Sequence, residues 1–371
     1  MIVMDISIDN FFAFKNFHMN LSYPKKIVNS AIQDEFLEGH PNFRYKKVNI
    51  LMGANATGKT SFGQMLMIVF NFMDMKQFDR LVEAIMDPEE EAKFSMDFVA
   101  NENILYRIAV KIDAKAGEKY NSGDIHVRVS QTEIGSKDSY ESCCRRLENK
   151  APGKERNFVE ELEGIRGLSW RFEYPSDAYD RYRVPDTNVE RYVQILEHTL
   201  KALDPSIERV ERIEGVEGAF VLRMGIRDVI MQNGKTVDSN ILSSGTKAGI
   251  AIADFVAAIR NGENGFYYCD EKFSFIHSDI EKAFLAVMID CLKSNDQLFF
   301  TTHNTDVLDM PLPKHSFTFL RKDCNVDSGT ITCISASDYL KRSTDSLRNA
   351  VDNDLFSSAP GVELVYEIAE L

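Results

Sequence analysis

None of the six cysteines (Cys143, Cys144, Cys269, Cys291, Cys324, Cys333) sits in a C-x-x-C pair, so neither a zinc ribbon nor a thioredoxin-type redox site is indicated. Reduced cysteines that serve packing are expected. Long apolar runs are also missing: the longest, Met65 to Met73, falls far short of the ~18 residues that suggest a membrane span. Met1 to Asn10 lacks the basic start and apolar core of a secretory signal, so a cytoplasmic protein without a membrane partner is expected. The chain has no internal repeat, low-complexity tract or sustained heptad pattern, which excludes a solenoid and a long coiled-coil arm. Positive charge is in short supply too. The formal net charge is −14, which works against coating of nucleic acid or an anionic membrane.

What is present is ordinary for a soluble globular protein: 371 residues, 44% of them hydrophobic, enough for one large domain or two smaller ones. Ile2 to Ile8 alternates as a strand, and Phe43 to Met52 (FRYKKVNILM) reads as a buried strand entering a glycine turn. A helix is predicted from Thr60 to about Met73. FSMDFVA, ILYRIAVKI and DIHVRVSQTEI then carry β-branched and aromatic residues at alternate positions, the pattern of an antiparallel sheet. From about Gly135 to Asp186 the periodicity weakens and basic and acidic residues balance, which predicts a compact, partly helical insertion. A helix from Val189 to about Leu203 stops before Asp204-Pro205, and strands and helices then alternate to Leu320. That alternation indicates an α/β fold with a largely parallel core.

Four segments carry chemistry. Gly53 to Thr60 reads GANATGKT, a full G-x-x-x-x-G-K-[ST] match between a predicted strand and a predicted helix. Its glycines let backbone N–H groups wrap phosphates, Lys59 reaches the β/γ-phosphates and Thr60 takes Mg²⁺, so ATP or GTP binding follows. In LSSGTKAGIAI (Leu242 to Ile252) Ser243 precedes an apolar-periodic helix; alone this is an N-cap, but its hydroxyl is also placed to meet a phosphate. In GFYYCDEKFSFIH an apolar strand delivers Asp270 and Glu271 at its C-terminal end, where open α/β sheets bind ligands. In QLFFTTHNTDVLD another apolar strand ends in Thr301, Thr302, His303 and Asn304. A lone histidine is more often structural, but one at a strand end suits a γ-phosphate.

Taken in order, the phosphate loop, LSSG, DE and TTHN resemble the ATP-binding-cassette (ABC) ATPases, in their SMC-like and RecF-like branch. Within it, IDNFFAFKNF, LKALDPSIERV, LSSGTKAG, DEKFSFIH, FFTTHNTDVLD and LFSSAP resemble the ATPases of bacterial abortive-infection, anti-phage systems related to the overcoming-lysogenization-defect (OLD) family. The resemblance implies an ABC-type P-loop ATPase head with a mixed and parallel core sheet. Residues 1–134 would form an N-terminal lobe with an antiparallel β subdomain, 135–188 an inserted lid and 189–371 a C-terminal lobe. It implies ATP and Mg²⁺ as ligands, with Gly53, Asn55, Gly58, Lys59, Thr60 and Ser61 of one copy, and Ser243 and Gly245 of a second, enclosing one nucleotide in a homodimer or higher oligomer. Thr60 and Asp270 would hold the metal, Glu271 would polarise the attacking water, and His303 would sense the γ-phosphate.

Ala56 replaces a glycine frequent in such loops, Phe275 replaces a small residue after the DE pair, and Ser278 stands where proline often follows His277. The glutamine that links Mg²⁺ to the second lobe is unassigned: Gln131 is read after a strand and Gln77 after a helix. His277 is evenly divided between a packing and a functional reading. Of Phe11, Phe12 and Phe14, two are expected in the core rather than stacked on adenine. Arg145, Arg146, Lys150, Lys154 and Arg156, with Glu148 and Glu155 among them, fit a solvated helix face better than a nucleic-acid patch. Asp352 and Asp354 form a D-x-D, but too little chain follows His303 for a further nuclease domain of ~100 residues. The function implied is therefore ATP hydrolysis controlling a separate effector, a nuclease or toxin, in anti-phage defence. The alternative is a RecF-like ATPase acting on DNA in repair, against which the acidic charge weighs.

Overall fold

The computed structural model describes residues 1–27, 30–100, 103–149, 157–174, 188–216, 218–225, 227–232, 235–236, 242–323, 330–342, 344–357 and 363–370. Cys324, Lys150, Lys154, Arg156 and the end of LFSSAP lie outside them. The chain divides into two units, Met1–Leu168 with Pro311–Leu371, and Ser169–Met310.

The first unit contains a five-stranded antiparallel sheet in the order Phe17–Asn20, Ile2–Asp9, Ala92–Ala100, Ile104–Ile112, Ile125–Glu133. The last three are the segments whose alternation predicts them, with Ile108 opposite both Met96 and Val129. FRYKKVNILM does not form one strand. It splits into His40–Arg44 and Val48–Met52, and Lys46 and Lys47 between them are buried, donating to Ser335 Oγ at 3.3 Å and to the Gln33 carbonyl at 3.0 Å. All five residues of Val48–Met52 are buried, and the strand pairs in parallel with Phe317–Asp323, which pairs antiparallel with Thr330–Ser335.

The helix Lys59–Met75 presents Phe62, Met65, Leu66, Val69, Phe70 and Met73 to the core at helical spacing, each such burial contributing about 1.5–3 kcal/mol. Lys76 ends it in a left-handed conformation, its N–H donating to the Phe72 carbonyl. The aromatic rings of Phe14, Phe17 and Phe62 cluster under its first turns. In the span read as an insertion, the helix Tyr140–Glu148 packs Tyr140, Cys143 and Leu147 onto the same unit's core. Buried Asp97 anchors it, accepting from the Tyr140 hydroxyl at 2.8 Å and from both arms of Arg107 at 2.7 Å. Burial pushes the neighbouring Cys144 thiol up to about 12, consistent with a packing role.

The second unit holds three parallel strands with Phe266–Asp270 between Gln297–Thr301 and Trp170–Glu173. Trp170–Glu173 falls inside the span read as an insertion, and instead of capping the fold it is a strand of this sheet, with Phe172 opposite Tyr268. Val189–Leu203 is helical with the predicted bounds, its Asn188 cap accepting from the Arg191 N–H. Arg209–Arg212, Ala219–Met224, Arg227–Gln232 and Lys235–Thr236 form an antiparallel sheet in that order, which the sequence pattern does not separate into strands. Tyr192, Leu196, Leu200, Phe220, Leu222, Ile250 and Ala253 form one core between that sheet and the helices Val189–Leu203 and Ser244–Asn261. Cys143, Cys144, Cys269, Cys291 and Cys333 are free thiols.

Candidate nucleotide site

The phosphate loop belongs to the first unit and follows the buried strand Val48–Met52 directly. Two of its glycines are required by space as well as by backbone angle. Gly53 has φ 151°, and a Cβ there would meet the Leu320 carbonyl oxygen at 2.4 Å and Thr57 Oγ1 at 2.7 Å. Gly58, at φ 93°, would press a Cβ onto Ile331 Cδ1 at 2.7 Å and onto the Phe14 ring at 3.3 Å. Ala56, the departure from glycine, also adopts a left-handed φ of 61° on an exposed turn, which costs an L-residue about 1–2 kcal/mol. Thr57 Oγ1 closes the turn by donating to the Ala54 carbonyl at 2.9 Å.

Lys59 is 4% exposed, and its Nζ donates to the carbonyls of Gly53 at 2.9 Å and Ala54 at 3.2 Å. The ammonium is therefore held over the loop it starts from. Asn55 is exposed, and Thr60 and Ser61 are half-buried in the first turn of Lys59–Met75. That helix has no side-chain cap at its N-terminus and no acidic residue in its first turn, so its own first turn leaves the positive end of its dipole unneutralised. Phe11 and Phe14 are fully buried, and Phe12 is half-buried at φ 51°, so two of the three are core.

The remaining residues belong to the second unit. Asp270 ends the strand Phe266–Asp270 fully buried, and its Oδ1 accepts from the Thr301 hydroxyl at 2.7 Å. Thr301 Oγ1 in turn accepts from the Glu271 N–H at 2.9 Å, which locks the ends of the two neighbouring strands together. Glu271 takes a left-handed φ of 43°, an uncommon state for a non-glycine residue and one found where a site holds it. Its Oε1 lies 2.8 Å from His303 Nε2, both side chains being partly open to solvent. The structure thus pairs the two residues to which the sequence gives hydrolytic roles.

Beneath His303 is a carboxylate that sequence reading does not single out. Glu281, in the helix Ser278–Cys291, accepts from the Thr302 hydroxyl at 2.6 Å and from Asn304 Nδ2 at 2.7 Å, so it braces the residues on either side of the histidine. Burial raises its pKa above the ordinary carboxylate value, against the pull of those two hydrogen bonds. The only advance signal is an acidic residue among apolar ones on the helix after the DE strand.

Ser243 caps the helix Ser244–Asn261, accepting from the Thr246 N–H at 3.0 Å, while Thr246 Oγ1 donates to Asp204 at 3.2 Å. Gly245 lies close to the loop after the DE pair: a Cβ there would stand 3.4 Å from the Phe275 carbonyl oxygen. Phe275 itself is 71% exposed. His277 caps the helix Ser278–Cys291 and is open to solvent, and Ser278, where proline is frequent, bonds to Asp306. Gln131 sits exposed within the strand Ile125–Glu133, not after it, and Gln77 is exposed after its helix. Arg146 is engaged by Asp138 at 2.5 Å and by the Glu133 carbonyl at 2.9 Å, as a solvated helix face requires. Asp352 and Asp354 are exposed, and no cluster of three or more His, Cys, Asp or Glu suited to a metal occurs among the described residues. Thr60 and Asp270 offer a hydroxyl and a carboxylate, the hard oxygen donors that Mg²⁺ takes. Among the described residues no helix is long and apolar enough to cross a membrane.

No family model and no curated protein matches the chain. Solved structures do. An Smc head bound to the C-terminal winged-helix domain of ScpA matches with a TM-score of 0.54 at 13% identity, covering 92% of this chain and 100% of that one. An Smc head with an extended coiled coil, bound to the C-terminal domain of ScpA and derived from Pyrococcus furiosus, matches with a TM-score of 0.51 at 13% identity, covering 92% and 98%. The recombination mediator RecF matches with a TM-score of 0.41 at 11% identity. The chain accordingly has the mixed α/β fold of SMC head domains, with parallel and antiparallel strand pairing.

Proposed function

We propose that this chain binds Mg-ATP and hydrolyses it as a nucleotide-sandwiched homodimer, and that this cycle controls a separate effector, a nuclease or toxin, in anti-phage defence. The observation that carries the ATPase reading is the phosphate loop. GANATGKT lies between a fully buried strand and an uncapped helix, with Gly53 and Gly58 at positions where no side chain fits. Asn55, Gly58 and Ser61 supply backbone and side-chain donors along the phosphates, and Lys59 moves from its loop carbonyls to the β/γ-phosphates. Thr60 and Asp270 would hold Mg²⁺, which when bound would neutralise charge on the phosphate oxygens. Glu271 orients the attacking water, and His303, 2.8 Å from it, keeps that carboxylate aimed and meets the γ-phosphate. Ser243 and Gly245 of the second copy close the site. The defence role rests on the sequence resemblance alone.

Glu271→Gln tests the reading. It should bind Mg-ATP with near wild-type affinity, hydrolyse it about 10²–10³-fold more slowly, and run as a dimer with ATP in light scattering. Wild-type turnover in this variant would remove Glu271 from the chemistry. Mass spectrometry of what co-purifies with the tagged variant from its native host under Mg-ATP tests the second half. A nuclease or toxin supports effector control, whereas DNA with replication and repair factors overturns it in favour of a repair ATPase.

A further inference from the structure

A partly buried charge network in the second unit is left unused by this hydrolytic scheme. Arg171 and Glu173 stand two residues apart on the strand Trp170–Glu173, so both side chains leave the same face. Arg171 forms a close ion pair with Asp254, inside the helix Ser244–Asn261, and lies 3.6 Å from Glu173. Burial pushes the Asp254 carboxyl up to about 7, and Arg171 is the partner that opposes this and favours its charge. Glu173 Oε1 is 3.2 Å from Lys272 Nζ, which also donates to the Tyr174 carbonyl at 2.9 Å.

Lys272 is the residue directly after Glu271, and it is 6% exposed. A lysine is seldom buried unless a carboxylate and further acceptors hold its ammonium, and here the strand Trp170–Glu173 and the residue after it provide both. Glu271 meanwhile keeps its left-handed backbone between two tethers. Its N–H is bound to Thr301, and its carbonyl accepts from the Ser274 hydroxyl at 2.7 Å. The Lys272 side chain is a third tether, and it reaches the strand on the other side of Phe266–Asp270 from Thr301.

We propose that Lys272 is a positioning residue for Glu271: pinned by Glu173 and the Tyr174 carbonyl, it holds the strained Glu271 backbone so that the carboxylate stays at the His303 ring. Arg171 extends the same hold to the helix that begins after Ser243, so two residues of one strand, Arg171 and Glu173, fix both the carboxylate and the helix bearing Gly245. This gives residues 171–174 of the 135–188 span a task in catalysis. The inference rests on the hydrolytic role given to Glu271 above.

Two measurements on the full chain test it. Amide exchange of Glu271 without nucleotide should quicken about tenfold or more in both Lys272→Met and Glu173→Gln, while exchange in the helix Lys59–Met75 stays as in wild type. Steady-state kinetics should show kcat lowered about 10- to 100-fold with KM for ATP within about twofold, and Lys272→Arg should recover most of the loss. In a Glu271→Gln background Lys272→Met should lower the residual rate no further, because it acts through the carboxylate already removed. Unchanged Glu271 exchange, or the same fold-loss in the Glu271→Gln background, overturns the proposal. A wild-type protein that fails to hydrolyse ATP sinks the hydrolytic role instead, and the exchange measurement still decides whether Lys272 holds the Glu271 backbone.

Discussion

Replacing Glu281 separates the two things a buried carboxylate does in this fold, accepting hydrogen bonds and carrying charge. At 4% exposure it accepts from Thr302 and Asn304, and burial raises its pKa. The folded value lies above the unfolded one, so its contribution to stability is fully present below about pH 4.5 and is lost as pH rises through the folded value. Glu281→Gln keeps an oxygen for Asn304 and offers an amide to the Thr302 hydroxyl, which can turn to accept. It should stay within about 1 kcal/mol of wild type at pH 7 and gain on it from pH 4 to pH 7. Glu281→Ala leaves the Thr302 donor without its acceptor, at about 1–3 kcal/mol, and removes one buried methylene at about 0.8 kcal/mol. Asn304 loses less, since it also donates to Ser278 at 3.2 Å. The sum is about 2–4 kcal/mol. Trp170 is the single tryptophan and lies in the same unit, so its fluorescence reports urea unfolding of that unit. At a slope of ~3 kcal/mol per molar urea, the Ala variant should lose about 1 M in midpoint and the Gln variant almost nothing. Equal losses in the two variants, or a Gln-over-Glu advantage that shrinks as pH rises, would refute the reasoning.

Two further substitutions test the phosphate loop. Gly53→Ala forces a Cβ to 2.4 Å from the Leu320 carbonyl oxygen, so thermal unfolding should show a loss of about 3 kcal/mol or more, and calorimetry no measurable ATP binding. Ala56→Gly relieves a left-handed φ of 61°, worth about 1–2 kcal/mol, against the usual glycine penalty of about 0.5–1 kcal/mol. Its melting temperature should therefore hold or rise, with ATP affinity within about twofold of wild type.

The parts of the fold and site that were legible in the sequence are those written in local pattern. GANATGKT declares its turn through its own glycines, Val189–Leu203 through its period and the Asp204-Pro205 stop, and Asp270, Glu271 and His303 through the apolar strands that deliver them. What stayed hidden depends on partners distant in sequence. WRFE reads as polar because its two charged residues are neutralised by Asp254 and Lys272, both some eighty to a hundred positions away. Lys46 and Lys47 break the single buried strand read over FRYKKVNILM and are themselves buried, because Ser335 and the Gln33 carbonyl receive them. Glu281 shows only as one acidic residue in an amphipathic helix, since what distinguishes it, Thr302 and Asn304, sits in the next strand's tail.

The close fit of Gly53 and Gly58 also sets an order of events during synthesis. The loop's walls are Phe14 on one side and Leu320 and Ile331 on the other, all within a unit built from two separate stretches of chain. A ribosome that has released the phosphate loop and its helix has not yet made two of those walls. With elongation at about 5–20 residues per second, the loop spends many seconds without the surfaces that shape it. A truncated product ending before residue 320 is therefore expected to show no ATP binding in calorimetry, although it holds every residue of GANATGKT.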